Sequence, residues 1–327
     1  MNSHDFIFNE KLSFEERSRR VYQYQAERNS VFKTFLNSFG LHAGSEISSK
    51  QIPLLPIRAF KHRPILCEGK KSSLTFKSSG TSGMERSTHH IADPGIYKQS
   101  IENEFFRHFP AEKYVLLCHM PGYRQNPDSS LIWMANHLIN NDSSGLNRFL
   151  DKKIDLYKWI EEVNKQEKTI LIFGAAFGLL NLLEEGAYQF PETTEILETG
   201  GMKTHRREMS KAELRNTVSE GFNIPQKQIH SEYGMCELLS QMYAIGSEWF
   251  RSPHWVQVSI RNADNPSKIC TPGEEGKIGI IDLANIYSCS FILTEDRGVM
   301  QPDGTFRVLG RWNPENLRGC NFLIDED

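Results

Sequence analysis

The chain has 327 residues, 39% of them hydrophobic and 24% charged, with a formal net charge of −3. That length can bury a sizeable core in one large domain or two smaller ones, and the near-neutral balance gives no electrostatic reason to expect nucleic acid or an anionic membrane as partner. No run approaches the ~18 apolar residues of a membrane span, and "MNSHDFIFNEKLSFEERSRR" lacks the basic start and apolar run of a signal peptide.

In chain order, residues 14–39 place apolar and aromatic side chains at helical spacing among charges and predict one or two amphipathic helices. "QIPLLPIRAF" (51–60) carries two prolines and reads as an extended connector. Beyond it, β-like runs alternate with helical patterns. "YVLLCHM" (114–120) precedes "SSLIWMANHLIN", "TILIFG" (169–174) precedes "AAFGLLNLLEEG", and "TEILETGG" (194–201) precedes "HRREMSKAELRNTV". Such alternation predicts βαβ units and an open parallel sheet. From about residue 250 the runs "HWVQVSI", "GKIGIIDL", "CSFILTED" and "GTFRVLG" are short, β-like and separated by Pro/Gly turns, which predicts a smaller β-rich lobe. The cysteines at 67, 118, 236, 270, 289 and 320 form no C-x-x-C pair. That argues against a zinc ribbon or redox dithiol and predicts reduced thiols in a cytoplasmic protein.

Residues 76–91, "FKSSGTSGMERSTHHI", interrupt this pattern. Ser78, Ser79, Gly80, Thr81, Ser82 and Gly83 form an unbroken run of hydroxyls and glycines. Glycine admits positive φ and close ligand approach, and small hydroxyls hydrogen-bond without bulk. Such a turn can wrap phosphate oxygens with backbone N–H groups. It matches neither G-x-x-x-x-G-K-[ST] nor G-x-G-x-x-G, and alone it reads more readily as a solvated linker.

Further segments change that balance. The run closely resembles the Ser/Thr/Gly-rich phosphate loop of the adenylate-forming superfamily, which includes acyl- and aryl-CoA ligases, peptide-synthetase adenylation domains and firefly luciferase. "TGGMK" (199–203) sits where a Gly-rich adenine-side loop is expected. "EYGMCE" (232–237) looks like the Tyr-Gly-x-x-Glu segment, and "TEDRG" (294–298) like the Thr-Gly-Asp segment with Glu295 in place of Gly. "GR" (310–311) looks like the Gly-Arg before the hinge. The order across residues 78–311 makes the resemblance specific. It implies an α/β fold with open mixed and parallel sheets flanked by helices. Residues 1–250 would be the core, 251–311 a β-rich lobe of the same large domain, and 312–327 a short tail. It also implies ATP and Mg2+ as cofactors and a carboxylic acid as substrate.

Each residue so marked has chemistry suited to the part. Tyr233, followed by Gly234, offers a flat face to adenine, and Gly200 and Gly201 leave room for a base edge. Glu237 can hold Mg2+ through oxygen. Asp296 can accept from ribose hydroxyls, and Arg311 carries a fork of donors for ribose or phosphate. The bland alternatives are a half-buried aromatic, a strand-to-helix turn, a solvated carboxylate, a turn aspartate ahead of Gly298 and a surface arginine. His119 follows a β-like run at a point that, by resemblance, borders the acyl-carboxylate pocket. Adjacent residues of a strand point to opposite faces, so His89 and His90 read as pocket wall or surface rather than a metal pair.

Superfamily members usually carry a mobile C-terminal domain whose lysine contacts carboxylate and phosphate. Here residues 312–327 follow Arg311, without a lysine, so that domain is expected to be essentially absent. Lys203 and Arg311 are candidates for the missing positive charge; Lys203 reads equally as a helix-start lysine. The tail "NLRGCNFLI" is similar to the end of the acyl-protein synthetases of the bacterial luminescence fatty-acid reductase. In that family a cysteine preceded by Gly and a basic residue carries the acyl group. The same outline occurs in a carboxylate-activating protein of phenazine pathways. The resemblance implies Cys320 as acyl carrier, with Arg318 lowering its pKa, a fatty acid as substrate and an acyl reductase or acyl-acceptor protein as partner. Two rivals stay open: a secondary-metabolism enzyme that passes acyl-AMP to an external nucleophile, and a non-catalytic nucleotide-binding subunit.

Overall fold

The computed structural model describes residues 4–78, 86–121, 126–151, 155–186, 189–200 and 209–312. The N-terminal part holds α1 (Phe14–Arg28), α2 (Ser30–Asn37), β1 (Leu55–Pro56), α3 (Ala59–His62) and the hairpin β2 (Leu74–Lys77) and β3 (Thr88–Ile91). The alternating part follows: α4 (Pro94–His108), β4 (Tyr114–His119), α5 (Ser130–Asn140), β5 (Arg148–Phe149), α6 (Leu156–Lys165), β6 (Thr169–Ala175), α7 (Ala176–Glu185), β7 (Glu195–Thr199), α8 (Lys211–Phe222), β8 (Ile229–Tyr233) and β9 (Met242–Ala244). Last come β10 (Val256–Arg261), β11 (Gly276–Asp282), β12 (Phe291–Met300) and β13 (Phe306–Arg311).

Asn29 divides the 14–39 stretch into two helices. Its backbone N–H closes α1 on the Gln25 carbonyl, and its side-chain oxygen accepts from Phe32 N to open α2. Side-chain caps at Asp93, Ser129, Asp155 and Ser210 start α4, α5, α6 and α8. The cap at Ser210 puts the start of α8 at Lys211, later than the periodicity from residue 205 predicts.

Six strands form one sheet in the order β5-β4-β6-β7-β8-β9, parallel except for β9. Its residues alternate between two cores, as strand period two requires. Val115, Leu117, Ile170, Ile172 and Ile196 pack with α6, α7 and α8. Leu116, Cys118, Leu171, Phe173 and Leu197 join the main core. Burial on both faces explains why β6 reads as a continuous apolar run. The connection that leaves β4 runs to β5 on one side and the one that leaves β6 runs to β7 on the other, so a topological switch point, where crevices open at strand C-terminal ends, falls between β4 and β6.

The second sheet runs β1-β12-β11-β10, with β13 also on β12. β1 pairs in parallel with β12 and comes from the connector, which is therefore strand at Leu55–Pro56 and helical at Ala59–His62 rather than extended throughout. Pro56 lacks an N–H and tolerates this edge position. Gly298, on the turn alternative for Asp296, would end a strand. Instead it lies inside β12 at a register shift, where an added Cβ would come 2.7 Å from Ile278. The main core takes residues from the N-terminal helices, the parallel sheet and the second sheet together; Phe32 stacks on Phe291 at 5.1 Å.

Candidate active site

The C-terminal ends of the parallel strands form one rim. Register pairs His119 with Gly174, Ala175 with Thr199 and Thr199 with Glu232, so His119, Gly200 and Tyr233 follow one another along it. Gly200 has φ 74°, a left-handed conformation that glycine adopts without strain, and an added Cβ there would meet nothing within 4 Å. Gly234 is needed for space: a Cβ would sit 2.5 Å from Glu232 Oε1.

Tyr233 ends β8 and is 9% exposed. Its ring packs against Phe250 and Phe306 at 5.8 and 5.9 Å, and its hydroxyl donates to Asp296 Oδ2 at 2.7 Å. That bond joins the two sheets. Asp296 lies opposite Arg311 in the β12–β13 register, and Arg311 Nε stands 3.8 Å from Asp296 Oδ1. The Arg311 side chain is 85% exposed, so this pair is weak and its guanidinium is accessible to a ligand. Burial raises the Asp296 pKa, opposed by the Tyr233 hydrogen bond and the Arg311 charge.

Glu237 sits four residues beyond Tyr233 and is 5% exposed. Burial raises its pKa; a hydrogen bond to the Ser87 side chain and the charge of Arg311 oppose the rise, while Asp296 adds to it. Ser87 also ties the Ser/Gly stretch to this place. Its N–H donates to Ser78 Oγ at 2.9 Å, and its carbonyl accepts from Ser78 N at 3.0 Å. Hydrogen bonds thus tie Ser78 to Ser87, and Glu237 lies within electrostatic reach of Ser87 and of the Asp296–Arg311 pair bonded to Tyr233. The rest of the stretch, Ser79, Gly80, Thr81, Ser82 and Gly83, lies outside the described residues, as do Gly201, Lys203 and Cys320.

His119 stands apart from this group. It ends β4, three strands from β8, which at about 4.8 Å per strand puts it about 14 Å along the rim. Burial lowers its pKa, while Glu185 and a hydrogen bond to the Gly178 backbone raise it. An added Cβ at Gly178 would lie 2.7 Å from Pro121 and 3.2 Å from the His119 carbonyl, so glycine lets α7 start close against β4.

Several residues at the site carry no sequence motif. Arg86 donates to the Ser78 carbonyl, and Ser87 bonds to Ser78 and opposes the rise in the Glu237 pKa. Both follow the Ser/Gly stretch directly; the readable signal is that β2 and β3 flank it as a hairpin, so Ser78 and Ser87 face each other. Thr199 donates to Glu232, whose burial pushes its pKa up to about 7, and Lys211 donates to Glu198 at 2.6 Å. His89 is fully buried and His90 is partly exposed, as opposite strand faces require.

Among the described residues no group of three or more His, Cys, Asp or Glu side chains could hold a metal ion. A single buried carboxylate such as Glu237 still fits Mg2+, which is commonly bound through one or two carboxylates and substrate phosphates. No helix among the described residues is long and apolar enough to cross a membrane.

Comparison with known proteins places this geometry. No curated protein matches the sequence. A 2-hydroxyisobutyryl-CoA ligase solved in an open conformation with 2-HIB-AMP and CoA is 12% identical with TM-score 0.64, covering 90% of this chain and 68% of its own. O-succinylbenzoate coenzyme A synthetase (MenE) from Bacillus subtilis, solved with ATP and magnesium, is 17% identical with TM-score 0.50, covering 75% of this chain and 51% of its own. The chain thus spans about two thirds of the first and half of the second. These likenesses show the fold of the adenylate-forming enzymes. The family model described as "Acyl-protein synthetase, LuxE" matches residues 129–327. With a rim that joins Tyr233, Asp296, Arg311, Glu237 and the base of the Ser/Gly stretch, the chain belongs to the acyl-protein synthetase family, whose fold and membership support an acyl-adenylate-forming ligase.

Proposed function

We propose that this protein activates a carboxylic acid, a fatty acid by its family, as acyl-AMP and passes the acyl group to Cys320. The observation that carries the reading is the Tyr233–Asp296 hydrogen bond with Arg311 beside it, and Glu237 within electrostatic reach of that pair and of Ser87, which bonds to Ser78. Residues suited to phosphate, metal, ribose and base are thus gathered in one place. The acyl-AMP of one structural neighbour and the ATP and magnesium of another fit the same arrangement.

The backbone and hydroxyls of Ser78 to Gly83 hold the leaving phosphates. Tyr233, Gly234, Gly200 and Gly201 receive the base, Asp296 accepts from the ribose hydroxyls, and Arg311 or Lys203 offsets negative charge at the reacting centre. Glu237 would hold Mg2+, which supplies charge neutralisation at the phosphates. His119 borders the acyl end of the crevice. The acid's carboxylate oxygen bonds to the α-phosphorus as the bond to pyrophosphate breaks. The Cys320 thiolate, its proton given to solvent, then bonds to the acyl carbon as the C–O bond to AMP breaks, leaving a thioester. A reductase or another acceptor protein takes the acyl group onward in the cytoplasm. Residues 1–250 and 251–311 act as one large domain, with 312–327 as the carrier tail.

ATP–pyrophosphate exchange over a panel of straight-chain and aromatic acids tests this. Exchange with one class, with Cys320→Ser keeping exchange but losing the hydroxylamine-labile acyl-protein, is expected. A labelled Cys320→Ser protein removes the carrier role, and nucleotide binding without exchange for any acid removes the enzymatic one.

A further inference from the structure

The loop after β8 is buried from Cys236 to Gln241, and side chains from distant elements hold it. A buried loop leaves carbonyls and amides that need partners. Asp282, at the end of β11, accepts from Leu239 N at 2.9 Å and from Ser240 Oγ at 2.6 Å. The two carbonyls that bracket Glu237 go to different donors. His89 Nδ1 meets the Cys236 carbonyl at 2.8 Å, and Asn285 Nδ2 donates to the Glu237 carbonyl at 2.8 Å. Because a carbonyl only accepts, Nδ1 carries the hydrogen.

The source of these donors matters. His89 lies on β3, two residues beyond Ser87, so both side chains leave the same face of the hairpin. That hairpin carries the Ser/Gly stretch between its strands. That face therefore grips the Glu237 segment through His89 at the preceding carbonyl, with Ser87 close enough to act on the carboxyl group electrostatically. Asn285 grips it from the 3-10 turn after β11. The second polar atoms of both gripping side chains, His89 Nε2 and Asn285 Oδ1, have no hydrogen-bond partner among the described residues. Among those residues each side chain thus makes its hydrogen bond to the backbone at 236–237.

We infer that His89 and Asn285 are positioning residues: together they hold the segment that carries the Glu237 carboxylate at a set place beside Asp296 and Arg311, so that a metal ion taken by Glu237 also meets the phosphates of bound ATP. This deepens the reading above and rests on its assignment of Glu237 to the metal. The plain alternative is that the two side chains only satisfy buried carbonyls. A structural role alone lowers stability or weakens nucleotide binding uniformly, whereas positioning acts on the metal-dependent part.

The test is ATP affinity of the full chain by titration calorimetry, with Mg2+ and with EDTA, the ratio being the gain due to the metal. Wild type shows a gain, and Glu237→Gln removes it. His89→Leu and Asn285→Leu are expected to reduce the gain about tenfold or more, with affinity in EDTA unchanged. His89→Asn, whose amide nitrogen can take the place of Nδ1, restores the gain. Should the leucine variants not fold, Asn285→Asp, of equal size without the donor, is expected to lose the gain while His89→Asn keeps it. A wild-type gain in His89→Leu and Asn285→Leu, or in Asn285→Asp, overturns the positioning role alone. Equal losses with Mg2+ and EDTA do the same. A wild-type gain in Glu237→Gln, or none in wild type, overturns the metal assignment and this inference with it.

Discussion

Ile172 in β6 and Phe291 in β12 are both fully buried, but what covers them comes from different places in the chain. The helices on one face of the parallel sheet, α6, α7 and α8, each neighbour the strands they cover in sequence. The antiparallel sheet is reached by α1 instead. Gln25 donates to the Asn285 and Ile286 carbonyls and to Ser290 Oγ, and accepts from Ser290 N, across more than 250 positions. Asn29 adds a bond to the Ser288 carbonyl at 2.7 Å. One sheet is thus assembled from a repeating local unit and the other from a long-range polar lock. The candidate site lies where they meet, at the Tyr233–Asp296 bond.

The largest expected effect is on the local unit. Ile172→Ala should lower unfolding free energy by about 2–5 kcal/mol, because a buried side chain packed with α6, α7 and α8 leaves a cavity between well-packed layers. Gln25→Ala should cost about 2–3 kcal/mol by stranding the partners of the lock. Denaturant melts followed by tryptophan fluorescence and circular dichroism measure both. Coincident transitions in both variants mean the sheets unfold as one body; a separate early transition in Gln25→Ala would sharpen the contrast. At the junction, Asp296→Ala should weaken ATP binding by about 10–100-fold, and unchanged affinity counts against the ribose assignment.

Smaller effects follow. Burial pushes Glu232 up to about 7 from 4.5, so the folded protein keeps a proton that the unfolded chain releases. Stability from this group is present below pH 4.5 and is lost as pH rises to and through 7. Glu232→Gln should flatten that decline. Asp282, pushed up to about 6 by burial, leaves a residual slope, and identical pH profiles for wild type and Glu232→Gln would contradict the assignment. Smallest is Arg58→Ala, which breaks the ion pair with Glu295. The Arg58 side chain is 63% exposed, so the cost should stay below about 1 kcal/mol; a larger loss would mean that this pair helps hold β1 on β12.

Much of the site was legible because its residues fall in short runs. Tyr233, Gly234 and Glu237 share one segment, and Ser78 belongs to another, so resemblance could mark them without coordinates. His119 was marked the same way, yet it stands three strands from Tyr233. Ser87, Arg86, His89 and Asn285 were not marked for this site. Their parts depend on what lies opposite them: His89 meets the Cys236 carbonyl only because a hairpin folds back over the loop after β8. A single serine or histidine has no periodicity to announce such a contact.

By itself the sequence determined where β4, α5, β6, α7 and β7 of the alternating part fall, and that a helix follows β7. Apolar period and capping residues act over a few positions and need no distant partner. It also determined which segments resemble nucleotide-binding ones. Only the tertiary structure decided that the connector supplies β1, that Gln25 and Asn29 lock the first helices to the second sheet, and that Glu237 is held by donors from β3 and the turn after β11. Those contacts join residues 48 to 265 positions apart, as their sequence separations record. Their energies depend on burial and on the direction of single hydrogen bonds, which chain order does not encode locally.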